Sequence, residues 1–319
     1  MKLKELGHTG LAVSPIGLGL AALGRPAYIT LGHDADLGPE RGVDELRRRA
    51  HAVLDAAYGR GIRYVDAARS YGRAEEFLGS WLESRGLAPG DVTVGSKWGY
   101  TYTGGWRVDA ERHEVKDLSA TTFRRQLDET RSLLGAHLSL YQIHSATLDS
   151  GVLDDADVLE GLAGLRATGV AVGFTVTGPD QEATIRRALE LDRFDTVQAT
   201  WNLLDGSAEP ALEAAHDAGL GVIVKEALAN GRLTARGAPP VLREAAEAAG
   251  TTPDALALAA VLARPWADVV LSGAATVDQL ESNLHALDIQ FGEELASRVR
   301  PLHEASETYW EKRATLPWT

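Results

Sequence analysis

Cysteine is absent from the 319 residues, which removes disulfide cross-links and thiolate metal sites from consideration. Long apolar runs are missing too. None approaches the about 18 residues of a membrane-spanning helix, so no membrane association is expected. Basic residues are scarce, 32 Lys and Arg against 45 Asp and Glu, for a formal net charge of −13. That balance argues against a nucleic-acid partner, which asks for a basic face. It leaves room for a small anionic ligand held by a local cluster of N–H groups and a few cations. The start, Met1-Lys2-Leu3-Lys4-Glu5-Leu6-Gly7, lacks the apolar core of a secretory signal, and a cytoplasmic setting is the expectation. The nine His include no His-x-x-x-His pair, and acidic clusters such as Asp154-Asp155-Ala156-Asp157 read as helix starts, so no metal site is expected.

What is present is a regular alternation. Apolar strand-like runs fall near residues 16–20, 62–67, 92–98, 138–144, 170–176, 195–201, 221–227 and 268–273. Helix-length amphipathic segments lie between them, near 43–60, 74–85, 120–135, 155–168, 180–192, 208–218, 241–263 and 276–287. The seventh helical segment is expected to break at Gly250 to Asp254, where Thr252-Pro253-Asp254 reads as a fresh helix start. Eight such units without a linker predict an α/β protein, a single (β/α)8 TIM barrel over residues 1–319. Residues 2–14 predict an N-terminal β-hairpin plugging the barrel bottom; residues 292–306 predict a C-terminal helix, followed by a tail. Segments 24–42 and 99–118 are too long for ordinary turns and follow strand C-termini, so both are expected to wall a site.

Three consecutive strands each end on an ionisable group. Ile62 to Val65 is followed by Asp66 and then Tyr71-Gly72, Val92 to Ser96 by Lys97, and Leu138 to Ile143 by His144. In a closed parallel barrel those ends converge on the face where such barrels do chemistry. Asp66, Tyr71, Lys97 and His144 together suit proton transfer. Taken singly, Asp66 could cap a helix, Tyr71 could be a turn residue, and His144 could be a satisfied core histidine. Lys97 is harder to explain away, because a lysine ending an apolar run is rarely buried without a partner. Gly17-Leu18-Gly19-Leu20-Ala21-Ala22-Leu23-Gly24 imitates a dinucleotide fingerprint, but its last glycine comes two residues late and Arg25-Pro26 follows in place of a helix.

The chain resembles the aldo-keto reductase superfamily. The resemblance is carried by Gly61-Ile62-Arg63-Tyr64-Val65-Asp66-Ala67-Ala68-Arg69-Ser70-Tyr71-Gly72, Ser96-Lys97 and Gln142-Ile143-His144. It continues through Gly173-Phe174-Thr175, Val197 to Asn202, Leu228 to Leu233 and Gln279 to Asn283, in the family's order. It implies an NAD(P)-dependent oxidoreductase interconverting an aldehyde, ketone or sugar carbonyl and its alcohol. The hydride comes from a nicotinamide, since no side chain supplies one. Tyr71 becomes the proton donor in reduction and the base in oxidation. Because a phenol titrates at about 10, Lys97 would lower that value, Asp66 would hold Lys97, and His144 would orient the carbonyl oxygen.

By the same resemblance, cofactor contacts fall to Thr175, Gln198, Lys225, Leu228, Gly231, Leu233, Gly273, Thr276, Gln279 and Asn283. Three positions depart from the family pattern. Thr175-Val176 replaces Ser-Asn, Lys225 replaces an aromatic that stacks on nicotinamide, and Ala274, Ala275 and Gln279 stand where an Arg or Lys often grips a 2′-phosphate. NADP is the implied cofactor, with NAD as the alternative. Tyr28, Trp98, Tyr100, Trp106 and Trp201 are expected around the substrate, with Tyr102 beside them. Two other readings remain at this point. One is a barrel lyase using Lys97 as a Schiff base; the other is a non-catalytic nucleotide-binding subunit on the same fold.

Overall fold

The computed structural model describes residues 1–319. A hairpin of β1 (Lys4–Glu5) and β2 (Ala12–Val13) opens the chain. The barrel starts with β3 (Ile16–Gly19); α1 (His33–Leu37) lies in the loop after it, followed by α2 (Val43–Gly59). Next come β4 (Tyr64–Asp66), α3 (Ala74–Ser84) and β5 (Thr93–Trp98). An antiparallel ribbon, β6 (Tyr100–Tyr102) with β7 (Glu114–Lys116), rises from the end of β5 before α4 (Ala120–Leu134). The alternation continues with β8 (Leu138–Ala146), α5 (Ala156–Arg166), β9 (Ala171–Val176), α6 (Gln181–Leu191), β10 (Thr196–Thr200) and α7 (Glu209–Asp217). It closes with β11 (Gly221–Lys225), α8 (Pro240–Ala248), α9 (Pro253–Leu262), β12 (Val269–Ser272) and α10 (Val277–Leu284), then α11 (Glu293–Val299) and α12 (Ser306–Ala314).

The eight strands β3, β4, β5, β8, β9, β10, β11 and β12 pair in chain order, all parallel, and β12 returns to β3 to close the barrel. Closure leaves the strands sandwiched between an inner core and the helix layer, which is why they read as nearly continuous apolar runs. Each helix turns one stripe inward. In α2 the buried positions are Leu46, Ala50, Val53, Leu54 and Ala57, the spacing of one helical face. A fully buried Leu or Val of this kind contributes about 1.5–3 kcal/mol. The break expected near Gly250 separates α8 from α9, with the Thr252 hydroxyl capping Ala255 N and Pro253 in the first turn. Asp155 likewise caps α5.

Leu6 and Val13 of the hairpin join Tyr64, Leu140, Ile223, Val269 and Leu271 in a separate apolar cluster. The hairpin thus plugs the N-terminal end of the barrel, as its pattern predicted. Tyr64 fills the interior because its neighbours are small: a Cβ on Gly17 or Gly95 would sit 2.8 Å or 2.6 Å from the Tyr64 ring or hydroxyl. The C-terminal region departs from expectation. Residues beyond 306, read as a tail, begin with α12, whose buried residues are only Tyr309 and Trp310. Two apolar contacts in nine residues make too faint a stripe to register as amphipathic.

Candidate active site

Asp66 ends β4, Lys97 lies in β5 and His144 in β8, and the barrel register brings all three to its C-terminal face. Tyr71 reaches them from the turn after β4. That turn is fixed by two glycines crossing at close range. A Cβ on Gly24 would lie 2.1 Å from the Tyr71 carbonyl oxygen, and one on Gly72 would lie 2.3 Å from the Gly24 oxygen. Gly72 also needs φ +62°, a left-handed value. The backbone bonds Arg73 N to Gly24 O (2.7 Å) and Arg69 N to Lys97 O (3.0 Å) complete the clamp. Beneath it Glu75, almost wholly buried, takes hydrogen bonds from Ser96 (2.6 Å) and Thr130 (2.8 Å) and an ion pair from Arg69. Nothing in the local sequence marks Glu75 out, since a glutamate in the first turn of a helix is ordinary.

Lys97 is 1% exposed, which is tenable only because its ammonium is fully partnered. Nζ donates to the Asp66 carboxylate, to Ala67 O at 3.1 Å and to Tyr71 Oη at 3.3 Å. Asp66 also accepts from Gln198 Nε2 (3.0 Å) and Tyr64 Oη (3.3 Å). Since the Tyr71 oxygen accepts from Lys97, its own proton is free to point into the cavity. His144 stands edge-on to Tyr71, with ring centroids 5.5 Å apart. Burial first, and then Lys97, Lys225, Arg25 and Lys116, hold its imidazole well below the usual range, so it is neutral near pH 7. Nδ1 is buried without a partner. A proton is therefore better placed on Nε2, giving an N–H donor toward the cavity, a tautomer assigned from its surroundings.

One electrostatic expectation is corrected. Lys97 was to lower the Tyr71 pKa, but burial, followed by the Asp66 charge, drives the phenol well above 10; the largest opposing influence is the Arg25 guanidinium. Desolvation of the phenolate outweighs the neighbouring cations.

A cavity of about 500 Å³ runs from these groups across the barrel mouth to Gln279 and Asn283. Gln198, Lys225, Leu228, Gly231, Gly273, Gln279 and Asn283 line it, as do Tyr28 and Tyr100. Lys225 Nζ donates to Thr200 Oγ1 at 2.9 Å, and burial pushes its ammonium down to about 8. Gly231 and Gly273 are both in the lining; at Gly273 a Cβ would stand in open space, so the wall there admits a closely approaching phosphate chain, whereas at Gly231 (φ +91°) it would meet Leu31 at 3.0 Å.

Several expected residues lie elsewhere. Thr175 is buried with its hydroxyl accepting from Ser145 N (2.7 Å), and Ser145 and Thr177 line the cavity instead. Leu233 packs into the apolar cluster under α8, and Thr276 spends its hydroxyl capping α10. Trp98 follows Lys97 in the same strand, so alternation turns it outward, onto Phe123 at 5.1 Å. Trp201 packs on Trp266 and bonds Glu209 (3.2 Å). Trp106 folds back to donate to Arg41 O (2.8 Å). None of these three tryptophans faces the cavity. Among the residues that do, and that sequence reasoning passed over, are Arg25 and Glu114 from the two long loops and Arg313 and Trp318 from the C-terminal region. The length of those loops was the available sign for the first pair; Arg313 and Trp318 carried none.

Residues 15–304 match the aldo/keto reductase family. The chain belongs to that family of nicotinamide-dependent oxidoreductases. Among its relatives, the tas protein of Escherichia coli is 24% identical over 95% of this chain and 98% of its own. L-galactose dehydrogenase of Arabidopsis thaliana is 28% identical over 90% of this chain and 88% of its own. An aldo-keto reductase from Bacillus halodurans, solved in its holo form, superposes with a TM-score of 0.75 at 23% identity, covering 97% and 99% of the two chains. No helix here is long and apolar enough to cross a membrane.

Proposed function

We propose that this chain, acting as one barrel domain over residues 1–319 in the cytoplasm, interconverts a small carbonyl compound and its alcohol, with Tyr71 as general acid and base. The observation that carries this reading is the arrangement at Tyr71: its oxygen accepts from Lys97 at 3.3 Å, leaving its proton to face the cavity beside His144. When bound, the nicotinamide supplies or accepts the hydride. The protein's own part is to seat the substrate oxygen between the Tyr71 hydroxyl and His144 Nε2–H. Tyr71 passes its proton to that oxygen in reduction, and the Lys97 ammonium, kept in position by Asp66, donates to the phenolate left behind. A phenol raised by burial is protonated at neutral pH, which suits the reductive direction.

In this reading Gln198, Ser145 and Thr177, all in the cavity lining, would meet the carboxamide, Lys225 a pyrophosphate oxygen, and the Leu228 to Gly231 backbone the rest of that group. The family resemblance by itself favours NADP. The far end of the cavity supports NAD(H) instead. Asp36, Asp254 and Asp278 are in its lining, and the nearby Arg236 is bound to Asp36 through both terminal nitrogens, at 2.8 Å and 2.5 Å. A 2′-phosphate calls for free charged donors, whereas a ribose hydroxyl is content with acceptors. The Schiff-base lyase is disfavoured because Lys97 Nζ aims hydrogens at Asp66, Ala67 and Tyr71 and offers no free lone pair. Titrating the protein with NADH and with NADPH, followed by tryptophan quenching, tests both points. Saturable binding with NADH tighter is expected; tighter NADPH overturns the nucleotide choice, and no binding of either overturns the oxidoreductase reading.

A further inference from the structure

We infer that the substrate carries a carboxylate, and that Arg25 is the residue that binds it. The inference rests on the carbonyl-reducing role proposed above and narrows its substrate class. Arg25 sits in the loop after β3, is 2% exposed, and lines the cavity. A guanidinium has five N–H donors in a fixed fork. Three are committed: Nε to Ala21 O (3.3 Å), and Nη1 to Ser70 O (3.1 Å) and the Glu114 carboxylate (2.9 Å). Both hydrogens of Nη2 have no acceptor in the protein. Nη2 is not sealed inside the protein: its hydrogens open onto the cavity, where a carboxylate meets a guanidinium with a stronger, charge-assisted bond than water does.

The surroundings say where that something lies. The guanidinium carbon is 5.3 Å from the Tyr71 ring centroid, 5.0 Å from Tyr28 and 4.7 Å from Trp318. Trp318 is pinned in turn by His113, stacked at 4.2 Å and 9°. Aromatic faces hold the cation rigidly beside the reacting oxygen. Charge at this end of the cavity is also unbalanced. Asp66, Glu114 and Glu226 are paired to Lys97, Arg25 and Arg313. Lys225 and Lys116, by contrast, donate only to the neutral oxygens Thr200 Oγ1 (2.9 Å) and Ser145 O (2.7 Å). With Lys225 given to the pyrophosphate, Lys116 is left as the cation without a carboxylate near His144, and its field favours an anionic substrate. With Nε already used, Arg25 offers a single nitrogen, which suits one carboxylate oxygen held end-on.

The test compares 4-carboxybenzaldehyde with its neutral methyl ester as substrates, using whichever nucleotide binds. The wild type is expected to favour the acid by about tenfold or more in kcat/KM, chiefly through KM. Arg25→Met should collapse that ratio toward one, and Arg25→Lys should recover part of it. Should Arg25→Met fail to fold, wild-type inhibition decides: benzoate should compete with the ester at least about tenfold better than benzamide. Equal use of acid and ester by the wild type, or a ratio untouched by Arg25→Met, overturns the inference while leaving carbonyl reduction standing. Failure to reduce either compound sinks both.

Discussion

Arg313 of α12 brackets the carboxylate of Glu226 at the end of β11, its Nε lying 2.8 Å and 3.0 Å from the two carboxylate oxygens. Glu226 is held there at φ +53°, an unusual value for a residue with a side chain. The pair ties the C-terminal helix to the mouth of the barrel. Burial works to raise the Glu226 pKa, but Arg313 and then Lys225 overcome it and bring it down to about 2, from an ordinary value of 4.5.

A carboxylate depressed in the folded state stabilises the fold in full above its ordinary value, and that stability is lost as pH falls toward the folded value. Thermal melts of the wild type should therefore lose stability progressively between pH 4.5 and about 2. Glu226→Gln should cost about 3 kcal/mol at neutral pH, leaving Arg313 uncompensated, and should flatten that acid dependence. Parallel acid curves for the two proteins would place the sensitivity elsewhere.

Removing the Tyr71 hydroxyl takes away the proton donor and nothing of the nucleotide site. Tyr71→Phe should lower kcat by about 10²–10⁴-fold, with nucleotide affinity unchanged. Steady-state kinetics beside fluorescence titration separate the two. A variant that keeps its turnover removes Tyr71 from the proton-transfer role.

Lys225 loses its charge as pH rises through about 8. If its ammonium meets the pyrophosphate, binding favours the charged form, takes up a proton, and weakens as that charge disappears. Nucleotide affinity should fall by roughly tenfold above pH 8, and Lys225→Met should bind weakly at every pH without that slope. An unchanged slope in the variant assigns the titration to another group.

Gly24→Ala probes the clamp. Its new methyl would meet two backbone atoms, the Tyr71 carbonyl oxygen at 2.1 Å and Ala74 N at 2.8 Å, and the Ala74 methyl at 2.6 Å, none of which is the end of a flexible side chain. A loss of about 1–3 kcal/mol is expected, with kcat falling further than nucleotide affinity because Tyr71 is displaced. Full activity in a melt-stable Gly24→Ala protein contradicts the clamp.

Much of this architecture was legible beforehand. Alternating apolar runs and amphipathic stripes mark the eight barrel strands and the helices between them, though not α1 or the β6–β7 ribbon inside the long loops, because each barrel strand and helix buries a face that its own sequence must supply. Asp66, Tyr71, Lys97 and His144 stood out jointly: Lys97 hardly has an ordinary explanation, each of the others has one by itself, and together they fall in the order of a known family motif. Trp98 was misplaced although the rule that corrects it is local, since a strand that turns Lys97 inward must turn its neighbour outward.

The remainder depends on contacts between distant parts of the chain. Arg25 reads as a loop residue until Glu114 and Trp318 close around it, and Trp318 reads as tail until the backbone at Thr319 pairs with Tyr28. The Tyr71 phenol is raised because folding removes water from it, and no list of neighbouring residue types contains that quantity. Sequence alone determined the barrel, the family and the four groups at its mouth, because those follow from periodicity and from short motifs read in order. Tertiary structure decided which aromatic walls face the cavity, which cations keep a free donor and which protons stay in place, because burial and unmet hydrogen bonds arise only when remote segments pack together.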